Sequence, residues 1–182
     1  MSKYIKIALD VGHARHTGAT GNGLQEHEVV AKLAKYVKDM LCSQQFIHAD
    51  IVDHPELSNR GDLNAAIADV NSGNYDAVIS LHCDCSDNPE AKGAHCCYKT
   101  LAGYAIGIEI AERLAVHLPG RAELMVKRNL DILALTRPPA CLVECGFLSN
   151  EHDALVLKTR PILLARAIAG GIIVWAQAMA QS

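Results

Sequence analysis

Residues 139–150 read Pro-Ala-Cys-Leu-Val-Glu-Cys-Gly-Phe-Leu-Ser-Asn. Within this stretch, Ala140–Val143 is an apolar run that follows Pro138 and Pro139, and such a run predicts a buried strand. A second fully apolar run, Ala77–Leu81, is bounded by turn residues and predicts another buried strand. Strands buried on both faces are typical of a parallel sheet covered by helices on each side.

The rest of the chain alternates short apolar runs with amphipathic segments. β-rich runs predict further strands at Tyr4–Leu9, Ile47–Val52 and Ala94–Tyr98. Apolar residues at helical spacing predict helices from residue 24 or 25 to about 41, and over about 57–70, 102–118 and 161–180. Residues 121–137 support no clear assignment. This alternation predicts one α/β domain over residues 1–182, with a mainly parallel sheet between two layers of helices.

Composition excludes several classes of protein. The chain has 182 residues, half of them hydrophobic, and a net charge of −3, as expected of a folded protein. Basic residues are scattered and aromatic residues are few, so no nucleic-acid partner is expected. We find no apolar run long enough for a transmembrane segment and no signal peptide. The seven cysteines include several in apolar runs, which favours synthesis in a reducing compartment such as the cytoplasm.

Four residues with metal or acid–base chemistry lie close to strand ends. His13, His82 and Glu144 follow three of the predicted strands, and Glu26 lies in the first turn of the first predicted helix. The carboxyl ends of parallel strands share one edge of a sheet, so the four side chains are expected to meet there. Two imidazoles and a carboxylate with one open position form a catalytic zinc site, and a further carboxylate can act as the base.

Each residue also has a simpler interpretation. A glutamate in a helix's first turn, such as Glu26, is favoured by the helix dipole alone. Histidines after strands, such as His13 and His82, are usually ordinary loop residues. Glu144 is less easily explained, because a glutamate at the end of a buried strand is rare unless it is paired or functional.

Neighbouring histidines and cysteines are weaker candidates. His16 is expected to be exposed, and His27 and Glu28 should point away from the metal because each helical residue adds about 100° of rotation. A second zinc site, on Cys83-Asp84-Cys85 with Cys96-Cys97, lacks the usual two to four intervening residues. Cys145 as a nucleophile is disfavoured because neighbouring side chains in a strand face opposite ways.

The order of five sequence blocks resembles one known family. The blocks are residues 7–13 (Ile-Ala-Leu-Asp-Val-Gly-His), residues 23–26 (Gly-Leu-Gln-Glu), Arg60 with Asn64, residues 78–84 (Val-Ile-Ser-Leu-His-Cys-Asp) and residues 139–150. Together they resemble the zinc-dependent N-acetylmuramoyl-L-alanine amidases of bacterial and phage cell-wall hydrolases, over nearly the whole chain. The family's usual glycine pair after the first histidine is replaced here by Ala14-Arg15, and Cys83-Asp84-Cys85 also departs from the pattern.

The resemblance implies a fold, a metal and an activity. It implies a six-stranded, mainly parallel sheet of the phosphorylase/hydrolase-like type, with one zinc ion on His13, Glu26 and His82 and with Glu144 as the catalytic carboxylate. It assigns no chemistry to Arg60 or Asn64. The implied reaction is hydrolysis of the amide between N-acetylmuramic acid and L-alanine, in peptidoglycan or muropeptides, with Glu144 passing the water proton to the leaving amine.

Two other functions stay open at this point. The chain could be a module that binds cell-wall fragments without cutting them, or a zinc hydrolase of another small amide or peptide. The absence of an export signal is compatible with a phage or prophage lysin, with a signal peptide missing from this sequence, or with cytosolic recycling of wall fragments. The sequence does not predict an oligomeric state.

Overall fold

The computed structural model describes residues 4–181. In chain order, its strands are β1 (Ile5–Val11), β2 (Thr20–Gly21), β3 (Leu24–Gln25), β4 (Ile47–Val52), β5 (Ala77–Asp84), β6 (His95–Tyr98), β7 (Met125–Lys127) and β8 (Ala140–Phe147). Its helices are α1 (Glu26–Cys42), α2 (Asn59–Ser72), α3 (Leu101–Ala115), α4 (Asp131–Leu135), α5 (Glu151–Thr159) and α6 (Pro161–Gln181).

Six strands form the main sheet, in the order β4-β1-β5-β8-β6-β7. The first four are parallel, whereas β6 runs antiparallel to β8 and β7 runs parallel to β6. The prediction of an α/β domain with a mainly parallel six-stranded sheet is therefore confirmed. The remaining two strands, β2 and β3, form a short antiparallel hairpin before α1.

Both faces of the sheet are covered, as predicted. Helices α1, α3 and α6 pack over one face, where they enclose the larger apolar core. Helices α2 and α4 lie over the other face, with a smaller core that includes Val78 and Leu142. The buried runs of β5 and β8 contribute side chains to both cores, which explains why their sequences are apolar without alternation.

The C-terminal helix α6 corrects the expectation that no apolar run is long enough to span a bilayer. By length and composition α6 is long and apolar enough to do so, and Arg166 is its one charged residue. Half of its most apolar 18-residue stretch is buried in the fold, where α6 packs against α1 and α3. A core helix that is apolar on most sides has the same composition as a membrane span, so composition alone does not separate the two.

Several element boundaries differ from the predictions. Strands β5 and β8 continue past the apolar runs because they stay paired, with His82 opposite Glu144. Those two residues therefore lie inside strands and not after them. Helix α1 begins at Glu26, since Leu24 and Gln25 pair with the β2 strand instead. The short elements β7, α4 and α5 were not predicted.

A buried aspartate fixes the chain around the end of β8. The Asp153 carboxylate accepts hydrogen bonds from the backbone N–H groups of Gly93 (2.7 Å) and Phe147 (3.1 Å). Gly93 precedes β6 and Phe147 ends β8, so one side chain connects the start of β6 to the end of β8. Such bonds to a charged acceptor are among the stronger hydrogen bonds in proteins, and they hold β6 in place beside Glu144.

Candidate metal site and its neighbouring carboxylate

The fold brings His13, Glu26 and His82 together. His13 follows β1, Glu26 is the first residue of α1, and His82 lies near the carboxyl end of β5. One potential ligand atom from each side chain lies within 4.8 Å of the others, so the three can hold a metal ion. The Nε2 atom of His13 lies 3.4 Å from one Glu26 carboxylate oxygen, and the Nδ1 atom of His82 lies 3.0 Å from the other.

Glu26 is the buried centre of this group, with 2% of its surface exposed. Its carboxylate accepts hydrogen bonds from the backbone N–H groups of Ala19 (2.7 Å) and Cys83 (2.9 Å). Burial by itself would raise the pKa of Glu26, but the hydrogen bond and positive charge of His82, together with these N–H donors, lower it below its ordinary value. The carboxylate is therefore held ionised and in a fixed orientation.

The imidazole of His13 is oriented from behind by an asparagine. Its Nδ1 atom lies 3.0 Å from Oδ1 of Asn59, the first residue of α2. Because this amide oxygen only accepts, Nδ1–H donates the bond, and Nε2 is the ring nitrogen on the Glu26 side. An outer partner of this kind is a usual feature of histidines that bind metals.

Two glycines lie so close to the metal group that a side chain at either position would overlap His82 or Glu26. A Cβ atom at Gly12 would overlap the His82 ring, at 2.6 Å from Nδ1. Gly18 has a φ of +85°, and a Cβ atom there would lie 2.7 Å from a Glu26 carboxylate oxygen. The backbone therefore approaches the three side chains more closely than any other residue type allows.

Glu144 lies beside the metal group, opposite His82 in the pairing of β5 with β8. Its Oε2 atom is buried and has no hydrogen-bond partner among residues 4–181. Burial, reinforced by the negative charges of Asp84 and Glu26, raises the pKa of Glu144 to about 7, against the opposing charges of His82 and Arg121. A groove of about 440 Å³ opens in front of Glu144 and His82, with walls that include Leu63, Leu130 and Ile132.

A model of the family described as N-acetylmuramoyl-L-alanine amidase matches residues 7–174. The chain belongs to this family. The amidase LytC of Bacillus subtilis is 29% identical over 161 residues, which cover 84% of this chain and 31% of LytC. The endolysin of Bacillus phage SPP1 is 27% identical, over 84% of this chain and 58% of the endolysin.

A solved structure supports the same membership at the level of the fold. The amidase AmiC2 of Nostoc punctiforme superposes with a TM-score of 0.81 at 25% identity, over 97% of this chain and 99% of that one. The chain spans less than two-thirds of the length of LytC and of the phage endolysin.

The residues judged weaker candidates lie where the sequence predicted. His16 and Glu28 are exposed, and the His27 Nε2 atom lies 3.0 Å from a carboxylate oxygen of Asp53, away from the metal group. Cys145 is buried in the larger core, on the opposite side of β8 from Glu144. The Ala14-Arg15 departure from the amidase family's glycine pair is accommodated, since Ala14 is buried and Arg15 forms an ion pair with Glu56.

The remaining cysteines do not assemble a second site. Within residues 4–181, the group of potential metal ligands is the His13, Glu26 and His82 cluster, and the Cys83–Cys85 and Cys96–Cys97 thiols are not part of it. Burial raises the pKa of the Cys83 and Cys96 thiols well above their ordinary value, so both stay protonated. Arg60 forms an ion pair with Asp131 that joins α2 to α4, and Asn64 is exposed.

Sequence reasoning missed Asn59 and His95. Asn59 was hidden because its contact with His13 spans 46 positions in the sequence. His95 is 5% exposed and lies opposite Glu144 in the antiparallel pairing of β6 with β8. Burial, followed by the positive charges of Arg121 and Arg128, lowers the pKa of His95 to about 4, so it is neutral near pH 7. A polar residue in a short apolar strand was the one available signal for it.

The raised pKa of Glu144 predicts a pH-dependent stability in the metal-free protein. A folded-state pKa of about 7, against an ordinary 4.5, stabilises the fold at low pH, and this contribution is lost as pH rises through 7. Glu144→Gln removes the titrating group. We therefore expect the free energy of unfolding of the variant, relative to that of wild type, to rise by about 3 kcal/mol as the pH is raised from about 4 to about 8. Urea unfolding with a chelator present measures this, and a difference that is constant with pH would contradict it.

Proposed function

We propose that this chain hydrolyses the amide bond between N-acetylmuramic acid and L-alanine in peptidoglycan. In this proposal His13, Glu26 and His82 hold one zinc ion, Glu144 is the catalytic carboxylate, and residues 1–182 act as one catalytic domain. The main support is the geometry: three metal-binding side chains meet next to a carboxylate with an unpaired, buried oxygen, in a chain of the amidase family.

The donor set fits zinc. Two imidazoles and one carboxylate are a usual protein contribution to catalytic zinc sites, which leave a further position open. The hydrogen bond to Glu26, followed by the negative charges of Glu144, Glu26 and Asp10, raises the pKa of His82 despite its burial, and the same charges favour a bound cation. When bound there, zinc supplies Lewis acidity, which makes water more acidic and polarises an amide carbonyl.

Glu144 moves the proton in the proposed reaction. Its carboxylate accepts a proton from the attacking water and then donates it to the nitrogen of the departing peptide. A group that takes and returns a proton works best when its pKa is near the working pH, and burial raises the pKa of Glu144 to about 7.

We infer that the chain acts on cell-wall material, either as a phage or prophage lysin or in the recycling of wall fragments. Support comes from the relatives, which include a phage endolysin and a sporulation-specific amidase of Bacillus subtilis. The proposed partner is peptidoglycan or a muropeptide.

The experiment that tests the proposal joins metal analysis to product masses. Purified protein is assayed for zinc and then incubated with purified peptidoglycan. One zinc per chain and release of stem peptides that begin with L-alanine are expected. Zinc without these products would favour a binding module or a hydrolase of another amide, which soluble muropeptides and small amides would then distinguish. An inactive, metal-free protein that added zinc does not activate would overturn the site.

Asn59→Ala is expected to weaken zinc binding about 10- to 100-fold, as loss of outer-shell partners usually does. The alanine leaves the His13 imidazole free to rotate and to change its protonated nitrogen. Competition with a chelator measures the affinity. Asn64→Ala is the matched control, because Asn64 is an exposed residue of the same helix. Equal affinities for the two variants would show that Asn59 does not orient His13.

A further inference from the structure

Glu144 lies in a row of three polar residues that crosses the sheet. Its register partner in β5 is His82, and its register partner in β6, which runs antiparallel to β8, is His95. Opposed side chains of an antiparallel pair lie on the same face of the sheet, with Cβ atoms about 4.5–5.5 Å apart. His95 therefore lies next to Glu144 on the face that carries the groove, on the side away from the metal group.

The two histidines of this row differ in what their ring nitrogens contact. The Nδ1 atom of His82 lies 3.0 Å from a carboxylate oxygen of Glu26, inside the metal group. The Nδ1 atom of His95 is buried and has no hydrogen-bond partner among residues 4–181, and the same holds for the Oε2 atom of Glu144. Opposed side chains thus each hold one buried polar atom without a protein partner, whereas buried polar atoms in native proteins are nearly always hydrogen-bonded.

The backbone around His95 and Glu144 is held in place. The Asp153 carboxylate accepts hydrogen bonds from the N–H groups of Gly93, two residues before His95, and of Phe147, three residues after Glu144. His95 itself is 5% exposed. A side chain so enclosed does not reach bulk water, and leaving its polar atom without any partner would cost free energy. The partner of Nδ1 is therefore expected inside the fold.

His95 can donate a hydrogen bond without carrying a charge. Burial, followed by the positive charges of Arg121 and Arg128, lowers the pKa of His95 to about 4, so near pH 7 its imidazole is neutral and has one N–H group. A positive charge next to Glu144 would lower the pKa of that carboxylate and weaken it as a base. A neutral imidazole holds the carboxylate without this effect.

We propose that His95 is a positioning residue for Glu144: its Nδ1–H group donates to a buried water molecule, which donates in turn to Oε2 of the carboxylate. This inference rests on the proposed function. One water molecule with two hydrogen bonds of about 2.8 Å each bridges polar atoms up to about 5.5 Å apart, which suits opposed residues of two paired strands. With Oε2 held in this way, the other carboxylate oxygen stays turned toward the groove, where it meets the attacking water.

The test compares substitutions of His95 in zinc-loaded protein with a soluble muropeptide as substrate. His95→Leu removes both ring nitrogens and is expected to lower kcat about 10- to 100-fold, because a misplaced catalytic group costs that much. KM and zinc content should stay at their wild-type values, since the groove wall and the metal group are unchanged. His95→Asn places its amide nitrogen near the position of Nδ1 and should restore most of the wild-type kcat. His95→Gln places its amide nitrogen near the position of Nε2 and should not.

A second measurement follows the proton of His95 without any substrate. The ring-nitrogen NMR resonances of isotope-labelled, zinc-loaded protein show which nitrogen carries the proton, and the spectrum of His95→Asn identifies the His95 signals. We expect the proton on Nδ1. The control variant His152→Asn, at an exposed position of α5, should keep the wild-type kcat and the His95 signals.

Three results would overturn the inference while leaving the amidase proposal intact. They are a proton on Nε2 of His95, a wild-type kcat in His95→Leu, and equal kcat values in the asparagine and glutamine variants. Absence of muropeptide cleavage by zinc-loaded wild type would instead defeat the proposed function, and with it the role of Glu144 that His95 serves.

Discussion

Glu144→Gln is expected to lower kcat on peptidoglycan by about 10²- to 10⁴-fold, the range that general acid–base groups contribute. The amide has nearly the shape of the carboxylate but cannot take a proton from water or return one to the leaving nitrogen. Zinc content should equal that of wild type, because Glu144 is not among the three clustered side chains. Release of stem peptides under saturating substrate measures kcat.

The matched control for this variant is Glu151→Gln, which makes the same change at an exposed position on α5. It should keep wild-type activity and metal content. If Glu144→Gln retained full hydrolysis, Glu144 would have no role in proton transfer. If it lost zinc as well as activity, Glu144 would be a ligand and the proposed roles would have to be redistributed.

Glu26→Gln is expected to abolish metal binding at micromolar zinc and activity with it. The variant loses the anionic ligand. Ala19 and Cys83 donate to different oxygens of Glu26, and the amide nitrogen that replaces one of these oxygens cannot accept, so one of the two N–H groups loses its partner. The loss of affinity should exceed the roughly 10- to 100-fold effect of an outer-shell change. Elemental analysis after dialysis against dilute zinc measures occupancy.

Glu28→Gln serves as the control for Glu26→Gln, since Glu28 is exposed two residues further along the same helix. Circular dichroism on both proteins separates loss of metal from loss of fold. A Glu26→Gln protein that is folded and still holds one zinc per chain would show that the metal lies elsewhere.

The sheet and its helices could be predicted because their signals are local. Apolar runs such as Ala77–Leu81 indicate strands by composition alone, and helical spacing marked α1, α2, α3 and α6. The convergence of His13, Glu26 and His82 followed from one further rule, that parallel strands place their carboxyl ends at a common edge. The ends of β5 and β8 were misjudged because a polar side chain such as His82 can still lie in a paired strand.

The contacts that support His13 and Glu144 could not be predicted, because they join residues far apart in the sequence. The partner of His13 is Asn59, and the partner of Glu144 in the sheet is His95, which β6 brings in by running antiparallel. Which strands pair, and in which direction, depends on contacts between residues far apart in the sequence, such as those of Asp153 with Gly93 and Phe147. The short elements β7 and α4 have too few residues to show a periodicity in the sequence, although α4 forms part of the groove wall.

The position of α6 imposes an order of events on the newly made chain. Every strand of the sheet is synthesised before α6, yet the larger core lies between the sheet, α1, α3 and α6. Until α6 leaves the ribosome, the nascent polypeptide carries an uncovered apolar surface, and α6 itself emerges as a helix apolar enough for a bilayer. Docking of α6 onto α1 and α3 is therefore the step that covers this surface and completes the larger core.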